Sequence, residues 1–421
     1  MIKLLSLFSG IGAFESALKR CGRPYEVVNY CEIDQHASRS YSQIHGVPEA
    51  KNLRDVCAID TAKISGVNLI TYGFPCQDIS VSGKQHGFEH NGERTRSGLF
   101  YEALRIIRDL QPEYAIAENV KALVSKKFTA EFKAVLDGLE AAGYNNYWQV
   151  LNAKNYGIPQ QRERVFIISI RKDCDAGLFS FPAPQELKLR VKDMLEPEVD
   201  DKYYLTGEGA QRLIQAYAAR INEAITEPVI CASRGRNPAD LRDRAAGAYT
   251  EQHLEPKNDG TSNTITTVQK DNLLLEPKIK IIGSTNGHQS GNVMHHNTDL
   301  CPCLTVAGHV EPLKILQIGN LLPDAGRKFT NPQTGREYDP QGLSPTINTA
   351  QGGQREVKII ETTPEAYRIR KLTPRECFRL MGFTDAEFDS IKGVSNTQLY
   401  KQAGNSIVVN VLEAIFRQLP I

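Results

Sequence analysis

The chain has 421 residues, with 50 Lys or Arg against 49 Asp or Glu and a formal net charge of +1. That length suits about two domains, and the balanced charge excludes a basic tail, an acidic solvating protein and a non-specific nucleic-acid coat. A hydrophobic fraction of 41% is too high for disorder, and nine scattered cysteines make no disulfide framework. No run reaches the roughly 20 apolar residues of a membrane span, and no signal peptide opens the sequence. The expectation is a cytoplasmic protein with reduced thiols.

Residues 2–8 read as a short apolar strand and 13–21 as a helix. Further strands are expected at 25–31, 67–72, 114–117, 147–151 and 165–170, with helices near 36–45, 99–110 and 129–142. Strands alternating with helices at this spacing predict a doubly wound, Rossmann-like α/β domain with a parallel sheet. Past residue 182 the strands shorten and Gly, Asn and Pro become frequent, with one helix at 209–224. Helical character returns at 373–381 and 407–418. The predicted organisation is a first α/β part (1–181), a β-rich insert (182–361) and a return to the α/β domain (362–421).

The insert carries a weak internal repeat. Glu227-Pro228, Glu276-Pro277 and Glu311-Pro312 each precede an apolar strand, and each unit closes on a related hexad: SNTITT at 262–267, CPCLTV at 301–306 and SPTINT at 344–349. Three similar β units are expected, with chance recurrence of Thr/Ile strands as the rival explanation.

Four constellations carry chemistry. In residues 7–12 (LFSGIG) the glycines let the backbone turn tightly at a helix start. Glu15 stands where a dinucleotide fingerprint has its third glycine, and an acid there would repel a pyrophosphate. Glu32, after the second strand, is placed to accept from ribose hydroxyls. An adenosyl cofactor without pyrophosphate suggests S-adenosylmethionine; a plain Gly turn with a surface Glu is the alternative. Residues 73–77 (GFPCQ) put Cys76 at the carboxyl end of the third strand, where open sheets bind ligands; a lone Cys is otherwise a small buried hydrophobe. The polar stretch 80–87 is flexible enough to close over a site. Glu118 follows the fourth strand, and Asn119 beside it reads alternatively as a helix N-cap. In residues 159–164 (PQQRER) strand alternation puts Arg162 and Arg164 on one face, able to hold a base, a phosphate or a carboxylate, or to form a structural ion pair.

The order and spacing of FSGIG (8–12), EID (32–34), GFPCQ (73–77), ENV (118–120), QQRER (160–164), RKLTPRECFRLMGF (370–383) and KQAGNSIVVN (401–410) resemble the DNA (cytosine-5)-methyltransferase family. The resemblance covers residues 1–171 and 362–421, and the insert is similar in position to that family's target-recognition region. It implies transfer of a methyl group from S-adenosylmethionine, leaving S-adenosylhomocysteine, to C5 of a flipped-out cytosine in double-stranded DNA. Cys76 would attack C6, Glu118 would act as acid near N3, and Arg164 with Arg162 beside it would steady the ring and Glu118. Phe8, Gly10, Ile11, Gly12, Glu32, Ile33, Asp55, Pro75 and Leu99 would line the cofactor pocket, closed by Asn405 and Ser406. Ser80, Ser82 and Lys84 would meet DNA from a mobile loop.

Specificity is expected in the insert, where Arg234, Arg236, Arg242 and Arg244 form the densest basic stretch and arginine reads guanine edges. A monomer is expected, in restriction–modification or as an orphan or phage enzyme, with any cognate restriction endonuclease not stably bound. No metal is expected: His295, His296, Cys301 and Cys303 have suitable chemistry but not the ligand spacing of a zinc finger. The alternatives are a transfer-RNA cytosine methyltransferase, which the long insert disfavours, and a catalytically silent DNA-binding module, which the intact Cys76, Glu118 and Arg164 disfavour.

Overall fold

The computed structural model describes residues 1–75, 79, 87–90, 93–95, 97–208, 210–212, 214, 228–237, 250–267, 272–277, 281–284, 293–295, 317–320, 336–338, 358–359 and 367–421. They divide into two compact units. The first comprises Met1–Val199, Asp259–Asn272 and Leu372–Ile421; the second comprises Asp200–Asn258 and Leu273–Lys371.

The first unit begins with β1 (Ile2–Leu7), α1 (Ala13–Arg20), β2 (Tyr25–Cys31), α2 (Gln35–His45) and β3 (Leu69–Tyr72). A small hairpin, β4 (Glu89–His90) with β5 (Glu93–Arg94), precedes α3 (Phe100–Leu110). Then come β6 (Tyr114–Val120), α4 (Thr129–Ala141), β7 (Tyr144–Asn152) and β8 (Glu163–Arg171). The main sheet runs β2-β1-β3-β6-β8-β7. Its first four strands are parallel, as expected, but β8 lies antiparallel to both β6 and β7. The reason is the connection 153–162, which holds a single short turn of helix. A parallel return needs a crossover of a dozen or more residues, whereas a short link folds the chain back on itself. The core lies between the sheet and α3 and α4, where Ile70, Tyr72, Phe100, Ile107, Ala115 and Ile167 are fully buried.

Local signals explain several boundaries. Asp34 caps α2 by accepting from the backbone N–H groups of His36 and Ala37, and Gly46 ends it in the left-handed region at φ 66°. After the insert come β17 (Tyr367–Lys371), described below, and four helices. They are α5 (Pro374–Leu380), α6 (Asp385–Ser390), α7 (Asn396–Asn405) and α8 (Val409–Gln418). Thr373 and Glu376 cap α5 reciprocally, with Pro374 at its first turn. Sequence periodicity marks α5 and α8 but not α6 and α7, which are short or polar. These helices complete the first unit: Ser16 donates to Glu387 at 2.6 Å, Ser40 to Gln402 at 3.0 Å, and Phe14 meets Phe416 edge-on at 6.3 Å.

The unit boundaries differ from those expected from the sequence. Residues 182–199 run along the first unit: Pro182 O accepts from the Tyr156 hydroxyl at 2.9 Å, and Met194 O and Leu195 O accept from Arg379 at 3.2 and 2.9 Å. Asp259–Asn272, in the middle of the insert, also belongs to the first unit.

In the second unit a four-stranded sheet runs β10 (Glu251–Pro256), β9 (Val229–Arg236), β11 (Leu273–Pro277), β17. It buries Cys231, Leu254, Leu273, Leu275 and Ile369 together. The buried Arg370 and its strand neighbour Arg368 both pair with Glu276, at 2.8 and 2.9 Å. Shorter strands follow β11: β12 (Ile281–Ser284) pairs with β13 (Val293–His295), and β14 (Gln317–Asn320) with β15 (Arg336–Tyr338), which also pairs with β16 (Lys358–Ile359). The strands opening the three repeat units are therefore present as β9, β12 and β14. Of the three hexads only 262–267 falls within the described residues. Among the described residues, no helix is long and apolar enough to cross a membrane.

Candidate active site

The carboxyl ends of β1 and β2 are neighbours, with Leu7 opposite Cys31. Beyond β1 the chain turns through Phe8 (φ 52°), Gly10 (φ 56°) and Gly12 (φ 80°). Gly10 N–H donates to Glu32 Oε2 at 2.8 Å, while Glu32 Oε1 accepts from Asp34 N at 2.8 Å. Burial nevertheless pushes the Glu32 carboxyl above its ordinary range, against those two backbone donors. Asn52 and Glu32 bond through side chain and backbone in both directions, at 3.0 and 2.9 Å. That clasp brings residues 52–55 to the end of β2. There Asp55 accepts from Cys57 N at 2.9 Å and is exposed.

Glu15 is fully buried and accepts from the Tyr41 hydroxyl at 2.8 Å. Its carboxylate holds α1 to α2, so it is not the group that repels phosphate. Glu32 does that work, because it already occupies the Gly10 N–H that a pyrophosphate at a helix N-terminus would need. Gly12 meets a second demand. A Cβ on it would lie 2.1 Å from His45 Nε2, so its missing side chain makes room for α2. Ile11 is buried, and its carbonyl accepts from the His45 ring at 3.0 Å. Only the backbone of Ile11 and Gly12 is left to face a cofactor.

The loop fits an adenosyl group. A Cβ on Gly10 would meet nothing within 4 Å, so the space above the turn is open. Ile33 is 76% exposed beside Glu32, an apolar surface suited to a flat ring. Pro75 and Leu99 are partly buried, Asn405 is exposed and Ser406 is buried.

Glu118 and Arg164 meet across β6 and β8. Glu118 is paired with Phe166 and Val120 with Arg164, so the two side chains are diagonal neighbours on one face. Arg164 Nε lies 3.0 Å from Glu118 Oε1, with the Glu118 side chain 11% exposed. Burial still holds the Glu118 carboxyl above the ordinary glutamate range, outweighing the pull of Arg164 and then Arg162. A Cβ on Gly73 would sit 3.8 Å from Glu118 Oε2 and 3.7 Å from Ile407, at ordinary contact distance, so the strand end lies beside the acid. Asn119 does not cap a helix. It is buried, and its amide donates to Phe74 O at 3.1 Å while its oxygen accepts from Val120 N at 2.8 Å. The acid-bearing strand is thereby tied to the backbone that follows β3. Cys76 itself, with Ser80, Ser82 and Lys84, lies outside the described residues.

Arg162 and Arg164 do not share a role. Arg162 precedes β8, so strand alternation does not govern it. It is 4% exposed, and its guanidinium donates to Ile265 O, Ser406 O and Gly404 O at 3.1, 2.6 and 3.4 Å. Gln160, which the sequence did not single out, is fully buried; it donates to Leu380 O at 2.7 Å and accepts from Ile265 N at 3.2 Å. Its signal was its place in the motif beside two arginines. In the second unit Arg234 and Arg236 both pair with Glu255, and Arg236 is 14% exposed. Arg242 and Arg244 lie outside the described residues, as do His296, Cys301 and Cys303.

Residues 2–420 match the family model of C-5 cytosine-specific DNA methylase, and the chain belongs to that family. It is 33% identical to the orphan methyltransferase M.SPRI of Bacillus phage SPR, with 99% of this chain and 97% of that one covered. It is 28% identical to the type II methyltransferase M.HhaI of Haemophilus parahaemolyticus, with 98% and 93% covered. Among solved structures it resembles the Entamoeba histolytica methyltransferase EhMeth (TM-score 0.57, 14% identity, 99% and 97% covered). It also resembles a Spodoptera frugiperda DNMT2 mutant (TM-score 0.55, 16% identity, 99% of each chain covered). At those identities the two structures show the fold.

Proposed function

We propose that this cytosine-5 DNA methyltransferase works by covalent activation of a base flipped out of duplex DNA, within a particular target sequence. The observation that carries the reading is the buried Glu118, held above its ordinary range and joined through Asn119 to the backbone just before Cys76. Cytosine C5 is a poor nucleophile. The Cys76 thiolate adds to C6, forming the S–C6 bond and shifting the ring π electrons toward C5 and N3. Glu118, protonated, gives its proton to N3 and so neutralises the charge that accumulates there. Arg164 fixes Glu118 and offers donors to the ring carbonyl. The Gly10 turn, Glu32, Ile33 and Asp55 would hold S-adenosylmethionine, whose sulfonium would supply the methyl group taken by C5 and leave as S-adenosylhomocysteine. Loss of the C5 proton to a base then expels Cys76 as thiolate, N3 returns its proton to Glu118, and the neutral aromatic ring is restored. Stacked bases cannot present C6 to a thiolate, which is why the target leaves the helix.

The chain is proposed to act as a monomer on DNA, as an orphan or restriction–modification enzyme, without a stable endonuclease complex. The test uses duplex DNA with 5-fluorocytosine at the target. Fluorine cannot leave as a proton does, so a denaturation-resistant adduct should accumulate with the wild type and not with Cys76→Ser. Methyl transfer by Cys76→Ser at the wild-type rate would overturn the covalent step.

A further inference from the structure

The turn after β1 is held from two sides. Phe8, Gly10 and Gly12 stand in the left-handed region, which a residue with a side chain, such as Phe8, seldom adopts. Such a turn keeps its shape only where its surroundings hold it. The end of β2 supplies one hold, since Ser9 N donates to Cys31 O at 3.1 Å and Gly10 N to Glu32 Oε2 at 2.8 Å. The other is His45, the last residue of α2, whose Nε2 lies 3.0 Å from Ile11 O. Helix α1 takes up the next carbonyl along, with Ser16 N donating to Gly12 O at 3.0 Å. A carbonyl can only accept, so Nε2 of His45 carries the proton. Burial pushes the ring below the ordinary histidine value, against the pull of Glu15, the Ile11 bond and Glu387 and with a small push from Lys19. A neutral imidazole has one N–H, and Ile11 O claims it.

From His45 a run of contacts leads back to the same turn. The His45 ring packs on Tyr41 at 4.8 Å between centroids, and Tyr41 stacks on Tyr30 at 4.1 Å. The Tyr30 hydroxyl lies 3.0 Å from Ser38 Oγ, which accepts from Asn52 at 2.9 Å. Asn52 clasps the backbone of Glu32, and Glu32 holds Gly10 N. The run leaves the turn at Ile11 O and re-enters it one residue earlier, at Gly10 N. One closed circuit of side chains therefore fixes the turn and the Glu32 carboxylate against each other, and His45 is the link that closes it.

We infer that His45 is a positioning residue for the methyl donor, acting through Ile11 O to hold the Gly10 turn in its binding shape. This rests on the reading above that the turn and Glu32 hold S-adenosylmethionine. A turn set before the ligand arrives spares the cost of ordering it on binding, so loss of the bond weakens affinity and leaves the chemical step alone. Two variants separate the bond from the packing. His45→Phe keeps a ring beside Tyr41 and removes the donor, whereas His45→Gln gives up the ring and keeps an N–H on a side chain of similar reach. The test measures binding of S-adenosylhomocysteine to the full chain by calorimetry, without DNA, with Glu32→Ala as the reference. His45→Phe should weaken binding about 3–10-fold, the worth of one hydrogen bond, and raise KM for S-adenosylmethionine by the same factor with kcat unchanged. His45→Gln should recover most of that loss. Wild-type affinity in His45→Phe, or weaker binding in His45→Gln than in His45→Phe, overturns the inference, and the cofactor reading stands where Glu32→Ala weakens binding. Unchanged binding in Glu32→Ala overturns both.

Discussion

At the scale of single residues, the division of labour between Glu118 and its neighbours rests on burial. A carboxyl next to two arginines would ordinarily be driven to ionise, yet at Glu118 desolvation is the larger effect and pushes its pKa above the ordinary glutamate value. The raised value means that activity needing the acid falls as pH rises through it. Glu118→Gln should lower kcat by about 10²–10⁴-fold and remove that descending limb, because the amide has no proton to lose. A Gln variant that keeps the wild-type pH profile would remove Glu118 from the acid role. The sign for stability is the same: the folded chain holds this proton more tightly than the unfolded one, so Glu118 contributes less to stability as pH rises through its folded value. Arg162 shows what a motif leaves unsaid. Two arginines separated by one residue invite a shared face, but β8 starts between them, so one meets the acid and the other three carbonyls.

Among elements, the clearest dependence is between α1 and α2. Gly12 is left-handed, and its absent Cβ is the space occupied by His45, whose ring holds Ile11 O. Gly12→Ala should therefore cost about 2–4 kcal/mol, about 1–2 for the backbone and the remainder for overpacking. Gly22 has a similar φ of 65°, and a Cβ there would meet nothing within 4 Å, so Gly22→Ala should show only the smaller backbone cost. Urea denaturation of both decides it; equal losses would mean that the His45 contact is not a constraint. Most elements here were legible because periodicity is a local property: β1 to β3, α2, α3 and α4 fall close to their expected bounds. Strand direction is not local, and β8 reversed because of a link too short for a crossover. The docking of residues 259–272 was equally invisible, since its partners Gln160 and Gly404 lie about a hundred or more residues away in sequence. Glu15 misled for another reason: a carboxylate near a helix start reads as facing outward, and only the position of Tyr41 shows otherwise.

For the molecule as a whole, the balanced charge has a specific form. Residues 1–170 carry 20 basic and 18 acidic side chains, 171–361 carry 22 and 25, and 362–421 carry 8 and 6. The region proposed to read DNA is slightly acidic, so attraction to DNA comes from local cations. Lys126 is exposed on the chain that leaves the carboxyl end of β6, and we propose it as one of them. The logarithm of the binding constant should fall with the logarithm of salt at a slope of about −3 to −5, and Lys126→Ala should flatten it by about one. A slope as steep as about −9 would mean a broad electrostatic footprint that this charge distribution does not predict. The discontinuity of the first unit has a consequence for synthesis. Arg23 donates to Leu419 O at 2.9 Å, and Phe14 stacks edge-on against Phe416. The face of α1 that these groups cover stays open on the ribosome until α8 has been translated. A nascent chain therefore carries β1 to β8 long before the first unit can be finished, and completion of that unit waits for translation of α8.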